Sequence, residues 1–418
     1  MFPASIFKLD SGLTLIHQEI PTTPVVVADV WVSAGSIEEP KYASGIAHFL
    51  EHMIFKGTAK LPAGVFDHNI ENQGGVSNAA TSYDYAHYSI TSAATCLEQI
   101  LPQLAEILLN AAIPDEELER ERDVVLEEIR SYNDDPDWVG YQHLVKSIYQ
   151  QHPYGRSILG TEGDVVQHSS EAMRCFHRTY YRPENMTVVI VGGIEQAKTL
   201  ELVKNTFNQN VLQSNNDNYT VSPSEKAVQP FIAGIRRQEI SLPRLENARL
   251  IMAWTGPGVE QLTTACGLDL LSVLLAEGRT SRLVRDLREE QQLVRFICCN
   301  FSLQKVSSLF TITAILEPEL LERVEVLIRL HLEDIITNGI TEQELARAQR
   351  LLCNDFAFST ETPNQLAGLY GYYNTVSKAE LAVTYPAQIL SFNTQELQKL
   401  VQEYLLPNQY AVTVLKPA

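Results

Sequence analysis

The sequence is short of basic residues and of cysteines, and each shortage excludes a class of protein. Lys and Arg total 32 against 51 Asp and Glu, which gives a formal net charge of −19 over 418 residues. A surface this acidic repels phosphate backbones, so we expect no nucleic-acid partner and favour basic peptides instead. The six cysteines contain no C-x-x-C pair. This argues against a disulfide framework or a thiolate metal cluster and fits a reducing compartment.

Targeting signals, membrane spans and phosphate loops are missing as well. The opening residues, MFPASIFKLD, lack the basic region and apolar core of a signal peptide. No stretch approaches the ~20 apolar residues that a membrane helix requires, and no G-x-G-x-x-G loop supports nucleotide binding. Hydrophobic residues make up 45% and charged residues 20%, as in ordinary globular proteins. We therefore expect a cytoplasmic protein without a membrane span.

The two halves of the sequence resemble each other, which indicates an internal duplication. The matched pairs are the helical segments 114–129 and 341–356, the strand segments 24–35 and 246–258, and the turn-and-strand segments 180–193 and 403–416. Both halves mix helical and strand patterns, so we predict an α+β fold. The polar stretch between them offers little to bury and reads as a linker. The predicted domains are 1–215 and 226–418, joined by a linker at 216–225.

The segment SGIAHFLEHMIFKGT contains residues that could bind a metal ion and catalyse a reaction. It predicts a helix of about three turns with Ser44 as its N-cap. His48, Glu51 and His52 stand at positions i, i+3 and i+4, which share one helix face. This H-x-x-E-H arrangement can bind one zinc through both imidazoles, and Glu51 can act as general base on a water at the metal.

A catalytic zinc needs a third protein ligand, and the helix predicted over 114–132 supplies candidates. Leu118, Val125 and Tyr132 mark an apolar stripe at steps of seven, and Glu121 and Glu128 fall on or beside it. A carboxylate on a buried stripe is costly unless it is paired or bound to a metal. This favours one ligand and one residue that orients an imidazole. A solvated helix edge remains the alternative, because other glutamates lie nearby, namely Glu116, Glu117, Glu119 and Glu127.

With these motifs, nearly the whole chain resembles the M16 (pitrilysin-like) zinc metallopeptidases. It is most similar to the M16B branch, which contains the β subunit of the mitochondrial processing peptidase and its bacterial relatives. The resemblance implies two homologous α/β repeats of the LuxS/MPP-like metallohydrolase fold, each a mostly antiparallel sheet with packed helices. It also implies one Zn²⁺ per chain, bound by His48, His52 and Glu128. Glu51 would be the catalytic base, and Glu121 a further catalytic glutamate that supports the first histidine.

The resemblance also identifies residues for substrate binding. In GGVSNAATSYDYAHYSI, Asn78 and Ala79 occupy the strand that pairs with an extended substrate in the family. Arg288 matches the arginine of a substrate-binding Arg/Tyr pair, but Arg295 stands where the tyrosine is expected. The implied assembly is a homodimer, or a heterodimer with a zinc-free subunit that supplies this pair.

The sequence therefore predicts a zinc-dependent endopeptidase that processes or degrades extended peptides. The alternative from another class is a non-catalytic structural or peptide-binding core subunit of a larger complex. The complete H-x-x-E-H motif favours the enzyme, and stoichiometric bound zinc would distinguish the two.

Overall fold

The computed structural model describes residues 2–208, 230, 232–243 and 245–418, which form two compact units. The predicted linker at 216–225 lies outside the described residues, as do its two boundaries. The units are not contiguous in sequence. Unit 1 takes its described residues from Met1–Arg130, Arg156–Lys226 and Ser359–Val383, and unit 2 from Ser131–Gly155, Ala227–Phe358 and Thr384–Ala418.

Unit 1 contains a six-stranded sheet in the order β1-β2-β6-β3-β5-β4. Its strands are β1 Ser5–Lys8, β2 Thr14–Glu19, β3 Val25–Val32, β4 Val76–Thr81, β5 Ala86–Ala93 and β6 Met186–Gly192. All neighbouring pairs are antiparallel except β2 and β6. The central strands β3 and β6 are almost continuously apolar and buried, whereas the outer strand β4 is exposed at every second residue.

Unit 2 contains a five-stranded sheet in the order β7-β11-β8-β10-β9. Its strands are β7 Ile235–Leu242, β8 Ala248–Pro257, β9 Phe296–Ser302, β10 Ser307–Leu316 and β11 Tyr410–Pro417. Here β7 and β11 are parallel and the other pairs are antiparallel. This order repeats that of β2-β6-β3-β5-β4 strand for strand. The predicted duplication and the mostly antiparallel sheets are thus confirmed.

Helices cover the sheets of both units. They are α1 Ile46–Ile54, α2 Val65–Asn72, α3 Leu97–Leu109, α4 Asp115–Asn133, α5 Pro136–Tyr149, α6 Glu162–Gln167, α7 Ser170–Tyr180, α8 Gln196–Asn208, α9 Leu262–Ala276, α10 Leu321–Asn338, α11 Glu342–Phe358, α12 Pro363–Val376, α13 Tyr385–Ser391 and α14 Thr394–Tyr404. The long helices α4 and α11 match the two helical segments that the sequence pairs between the halves.

The helix after each long helix belongs to the unit of the other half. In unit 2, α5 lies so close to β8 that a Cβ on Gly140 would stand 2.7 Å from Ile251 Cδ1. In unit 1, α12 forms hydrogen bonds with residues of β2 and β6. Tyr370 Oη donates to Gln18 Oε1 at 2.7 Å, and Asn374 Nδ2 donates to Thr187 Oγ1 at 2.8 Å. No local pattern in the sequence indicates this exchange, because it depends on which sheet a helix packs against.

One segment of unit 2 is apolar enough to be compared with a membrane span. Among the described residues, Val259–Ala276 passes a length and composition test for crossing a membrane. Most of it is buried within the unit, and α9 carries buried residues on all sides, among them Leu268, Leu271 and Leu275. A helix that is apolar all round and covered by protein is typical of a core position.

Two glycines in α12 test its packing on the first sheet. A Cβ on Gly371 would lie 2.0 Å from Trp31 Nε1, whereas a Cβ on Gly368 would meet no atom within 4 Å. We expect Gly371→Ala to lower the free energy of unfolding by about 1–3 kcal/mol through overpacking. Gly368→Ala should raise it by about 0.5–1 kcal/mol, because alanine loses less backbone entropy in a helix. Urea denaturation of both variants measures this difference, and equal effects would contradict the assigned packing of α12.

Candidate metal centre

The helix α1 presents the H-x-x-E-H residues, but it does not begin as the sequence predicts. Ser44 is not the N-cap. Gly45 takes that position with φ +85°, a left-handed conformation that favours glycine. A Cβ on Gly45 would also lie 2.4 Å from the Leu159 carbonyl oxygen, so the close backbone approach excludes a side chain there. The apolar face of α1, including Phe49, is buried, and it fixes the orientation of the helix.

The structure brings the three predicted zinc ligands together in unit 1. Glu128 Oε2 lies 3.6 Å from His48 Nε2 and 3.3 Å from His52 Nε2. One donor atom from each of the three lies within 4.8 Å of the others. The neighbouring Glu127 is exposed instead, with Oε2 3.4 Å from Arg130 Nη1. The geometry therefore selects Glu128 from the glutamates of α4.

The donor set suits a zinc ion. Two imidazole nitrogens and one carboxylate oxygen are typical protein ligands of a catalytic zinc, which keeps a further position open. At zinc–ligand bonds of ~2.0–2.1 Å, tetrahedral ligands stand roughly 3.3 Å apart. The separations of Glu128 Oε2 from the nitrogens of His48 and His52, 3.6 and 3.3 Å, are close to that spacing. The residues present fit the metal that the resemblance implies.

Glu121 supports the second histidine, so the prediction that it supports the first is wrong. Its Oε1 lies 2.9 Å from His52 Nδ1, and its Oε2 lies 2.5 Å from Lys56 Nζ. His48 Nδ1 is buried without a hydrogen-bond partner among the described residues. Glu121 meets His52 and not His48 because the two helices run antiparallel, so that later residues of α1 contact earlier residues of α4. Lys56 is a further member of the site that spacing alone did not identify.

The apolar stripe of α4 also differs from the prediction at one position. Leu118, Glu121 and Val125 are buried as expected, but Tyr132 is 41% exposed and Ile129 is buried in its place. A straight helix has 3.6 residues per turn, so residues spaced seven apart gradually change their position around the helix axis. The prediction that a glutamate lies on the buried face is nevertheless confirmed for Glu121.

The cluster shifts the pKa values of its members in opposite directions. Burial, together with the neighbouring His52, lowers the pKa of His48 to about 4. Burial would lower the pKa of His52 too, but its hydrogen bonds with Glu121 and Glu128 outweigh it and raise the pKa to about 9. The hydrogen bond from His52 lowers the pKa of Glu128. Zinc binding through the His52 ring would therefore compete with a proton on that ring.

Glu51 lies beside the ligands and is oriented by a strand. Thr81, the last residue of β4, donates through Oγ1 to Glu51 Oε2 at 2.5 Å. Burial raises the pKa of Glu51, although the Thr81 hydroxyl opposes the shift. No spacing rule connects two residues 30 positions apart, so sequence reasoning could not identify Thr81.

The predicted substrate-binding residues fall in both units. Asn78 and Ala79 lie on β4, the outermost strand of the first sheet, whose second edge has no strand partner in the described part of the chain. Arg288 lies in unit 2, on a π-helical segment, where its guanidinium donates to Glu289 Oε1 at 2.7 and 3.0 Å. Arg295, at the expected tyrosine position, donates to Glu317 Oε1 at 2.6 Å.

Comparison with known proteins places this duplicated chain, with its zinc-type donor set, in a peptidase family. Residues 14–162 match the family description "Insulinase (Peptidase family M16)", and residues 168–352 match "Peptidase M16 inactive domain". The zinc protease PqqE of Helicobacter pylori is 30% identical over 413 residues, which are 98% of this chain and 92% of that protein. The chain belongs to peptidase family M16.

Two further comparisons show the same relationship over the full length. The uncharacterized zinc protease YmxG of Bacillus subtilis is 26% identical over 426 residues, covering 99% of this chain and 98% of that one. The crystal structure of a protease from Helicobacter pylori matches with a TM-score of 0.92 and 28% identity, covering 99% of both chains. These similarities confirm the recognised family and the two-repeat fold.

The neighbouring glutamates of α4 provide a matched test of the third ligand. We expect Glu128→Gln to abolish tight zinc binding, because an amide is a poor zinc ligand and the cluster loses its shared carboxylate. Glu127→Gln removes the same charge one residue away and should leave zinc affinity unchanged. Competition with a chromogenic chelator measures both affinities. Loss of zinc in the Glu127 variant alone would show that the ligand is misassigned.

Proposed function

We propose that this protein is a zinc-dependent endopeptidase that hydrolyses extended peptides, with one Zn²⁺ per chain. The observation that carries the proposal is the convergence of His48, His52 and Glu128 around one point, with Glu51 on the same helix face. The names of the relatives, which are zinc proteases, support the same reaction class. The proposed activity covers both the processing and the degradation of such peptides.

The chemistry of the site divides between the metal and Glu51. Zinc, when bound by the three ligands, would supply a Lewis acid for a water and for the peptide carbonyl. Glu51 would accept a proton from the attacking water and return it to the leaving amine. Thr81 donates a hydrogen bond to Oε2 of Glu51, whereas Oε1 has no donor among the described residues. Oε1 is therefore the oxygen that we assign to the proton transfer.

The outer strand β4 offers a way to hold the substrate. Its unpaired edge exposes backbone N–H and C=O groups, which an extended peptide can pair with as an added strand. Asn78 and Ala79 lie on this strand, and its last residue, Thr81, holds Glu51. Strand pairing at β4 would thus align the peptide backbone with the general base. We infer that the substrate is an extended segment and not a folded domain.

The net charge bears on the peptide substrate, and the second repeat bears on the partner subunit. The net charge of −19 favours basic peptides over acidic ones. We propose that Arg288 contributes to substrate binding and that Arg295 replaces the family tyrosine. The active assembly would be a homodimer, or a heterodimer in which a zinc-free subunit supplies the Arg/Tyr pair.

A non-catalytic core subunit is the competing function. Such a subunit would need neither a general base nor an oriented ligand set. In this chain Glu51 is held by Thr81, and His52 is held by Glu121. This complete arrangement favours catalysis, and zinc content of the purified protein near one per chain would favour it further.

Replacing the general base separates binding from catalysis. We expect Glu51→Gln to lower peptide hydrolysis at least about 100-fold, because an amide cannot accept the proton. Zinc content should stay that of the unchanged protein, since Glu51 is not among the three ligands. Hydrolysis rates and metal analysis on the same samples test both statements. Retained activity in this variant would rule out the proposed role of Glu51.

The purified zinc-loaded chain alone should cleave a library of quenched fluorescent peptides, and a chelator should abolish the cleavage. This result would mean that the chain is self-sufficient and that Arg295 is tolerated. Bound zinc without cleavage would contradict self-sufficiency. Activity should then return when a second subunit with the Arg/Tyr pair is added.

A further inference from the structure

The N-terminus of α1 has no cap from its own residues. The first N–H groups of a helix lack partners within the helix and need an acceptor when they are buried. At the N-cap position, Gly45 has no side-chain oxygen. A longer residue is excluded there, because a Cβ on Gly45 would lie 2.4 Å from the Leu159 carbonyl oxygen and 2.8 Å from Gly160 Cα. The acceptor must come from another part of the chain.

Glu39 supplies that acceptor with both carboxylate oxygens. Its Oε2 accepts from the Gly45 N–H and its Oε1 from the Ala47 N–H, each at 2.9 Å. A negative charge at this end of a helix is also favoured by the helix dipole. The side chain is buried, being 2% exposed, and this burial raises the pKa of Glu39, whereas the two N–H donors favour the ionised carboxylate and oppose the shift.

The segment that carries Glu39 is itself fixed by an arginine. Arg156 donates through Nη1 to the carbonyl oxygens of Glu39 and Pro40, at 3.1 and 3.3 Å, and through Nη2 to that of Ser36 at 3.3 Å. These bonds use backbone oxygens and leave the Glu39 carboxylate to the helix. The turn before α1 and the helix start are therefore held as one piece.

The two zinc-binding histidines depend on different supports. His52 is oriented through Nδ1 by Glu121, whereas His48 Nδ1 has no hydrogen-bond partner in the described part of the chain. His48 follows Ala47, whose N–H is bound by Glu39. The position of the His48 ring thus rests on packing and on the backbone of the first turn.

We propose that Glu39 is a positioning residue of the zinc site, which fixes the first turn of α1 and thereby the ligand His48. The inference rests on the proposed zinc site, but it concerns a residue that lies outside the H-x-x-E-H motif and does not contact the three ligands. Glu39 acts through the helix backbone and takes no part in the proton transfer assigned to Glu51.

The first test is the zinc affinity of Glu39→Gln. Glutamine has nearly the same size, but it has one acceptor oxygen, and its NH₂ group would face one of the two N–H donors. We expect the zinc dissociation constant to rise about 10–100-fold, as for other residues that support metal ligands. Competition with a chromogenic chelator measures it without relying on hydrolysis. Unchanged zinc affinity in a folded Glu39→Gln protein would overturn the proposal.

The matched control is Glu325→Gln in unit 2. Glu325 is another buried carboxylate that uses both oxygens, accepting from Arg237 Nη1 at 2.6 Å and from Tyr410 Oη at 2.7 Å. Its loss should destabilise unit 2 without changing zinc affinity. If Glu325→Gln weakens zinc binding as much as Glu39→Gln does, the effect is general destabilisation and the proposal is wrong.

Amide hydrogen exchange tests the role of Glu39 without a substituted variant and without bound metal. In the unchanged, zinc-free protein, the Gly45 and Ala47 amides should be protected like those in the middle of α1. Fast exchange at both would contradict the role of Glu39 directly. If the protein without substitutions bound no zinc, the proposed function would be wrong. The exchange rates of the Gly45 and Ala47 amides would still show whether Glu39 stabilises the start of α1.

Discussion

The contact between α1 and α4 places two imidazoles of one helix against carboxylates of the other, in a region that is largely shielded from water. Removing such groups from water is costly unless each finds a partner or a metal. His52 meets this requirement through Glu121, and Glu128 meets it through both histidines. Lys56 balances part of the negative charge. The chemistry of the site follows from this compensation, because the arrangement that satisfies these groups also presents three converging donors.

The first sheet contributes to the same site from its outer edge. Thr81 ends β4 and holds Glu51, so the strand proposed to pair with a peptide also orients the proposed base. Substrate alignment and proton transfer would therefore depend on one element. At the beginning of α1, Glu39 binds the first N–H groups, and Arg156 fixes the turn that carries Glu39. The helix α1 is thus fixed at its start by a turn and along its face by a strand and a helix.

The second repeat shows what the fold provides without the motif. Its sheet has the same strand order and directions as the inner five strands of the first, yet the sequence between β8 and β9 contains no H-x-x-E-H. The fold therefore does not by itself confer the reaction, which depends on a few side chains placed on it. Each repeat also includes a helix that belongs to the other unit, so neither half of the sequence accounts for a complete unit.

The sequence by itself determined the features that depend on short spacing. The i, i+3, i+4 positions of His48, Glu51 and His52 required a shared helix face, and the paired segments of the two halves indicated the duplicated sheets. Only the tertiary structure decided that Glu121 binds His52, that Thr81 binds Glu51 and that Glu39 binds the start of α1. It also decided that α5 and α12 each belong to the unit of the other half. The reason is physical. Periodicity follows from covalent geometry within one element, whereas contacts between distant elements depend on the direction in which helices pack and on which surfaces they bury.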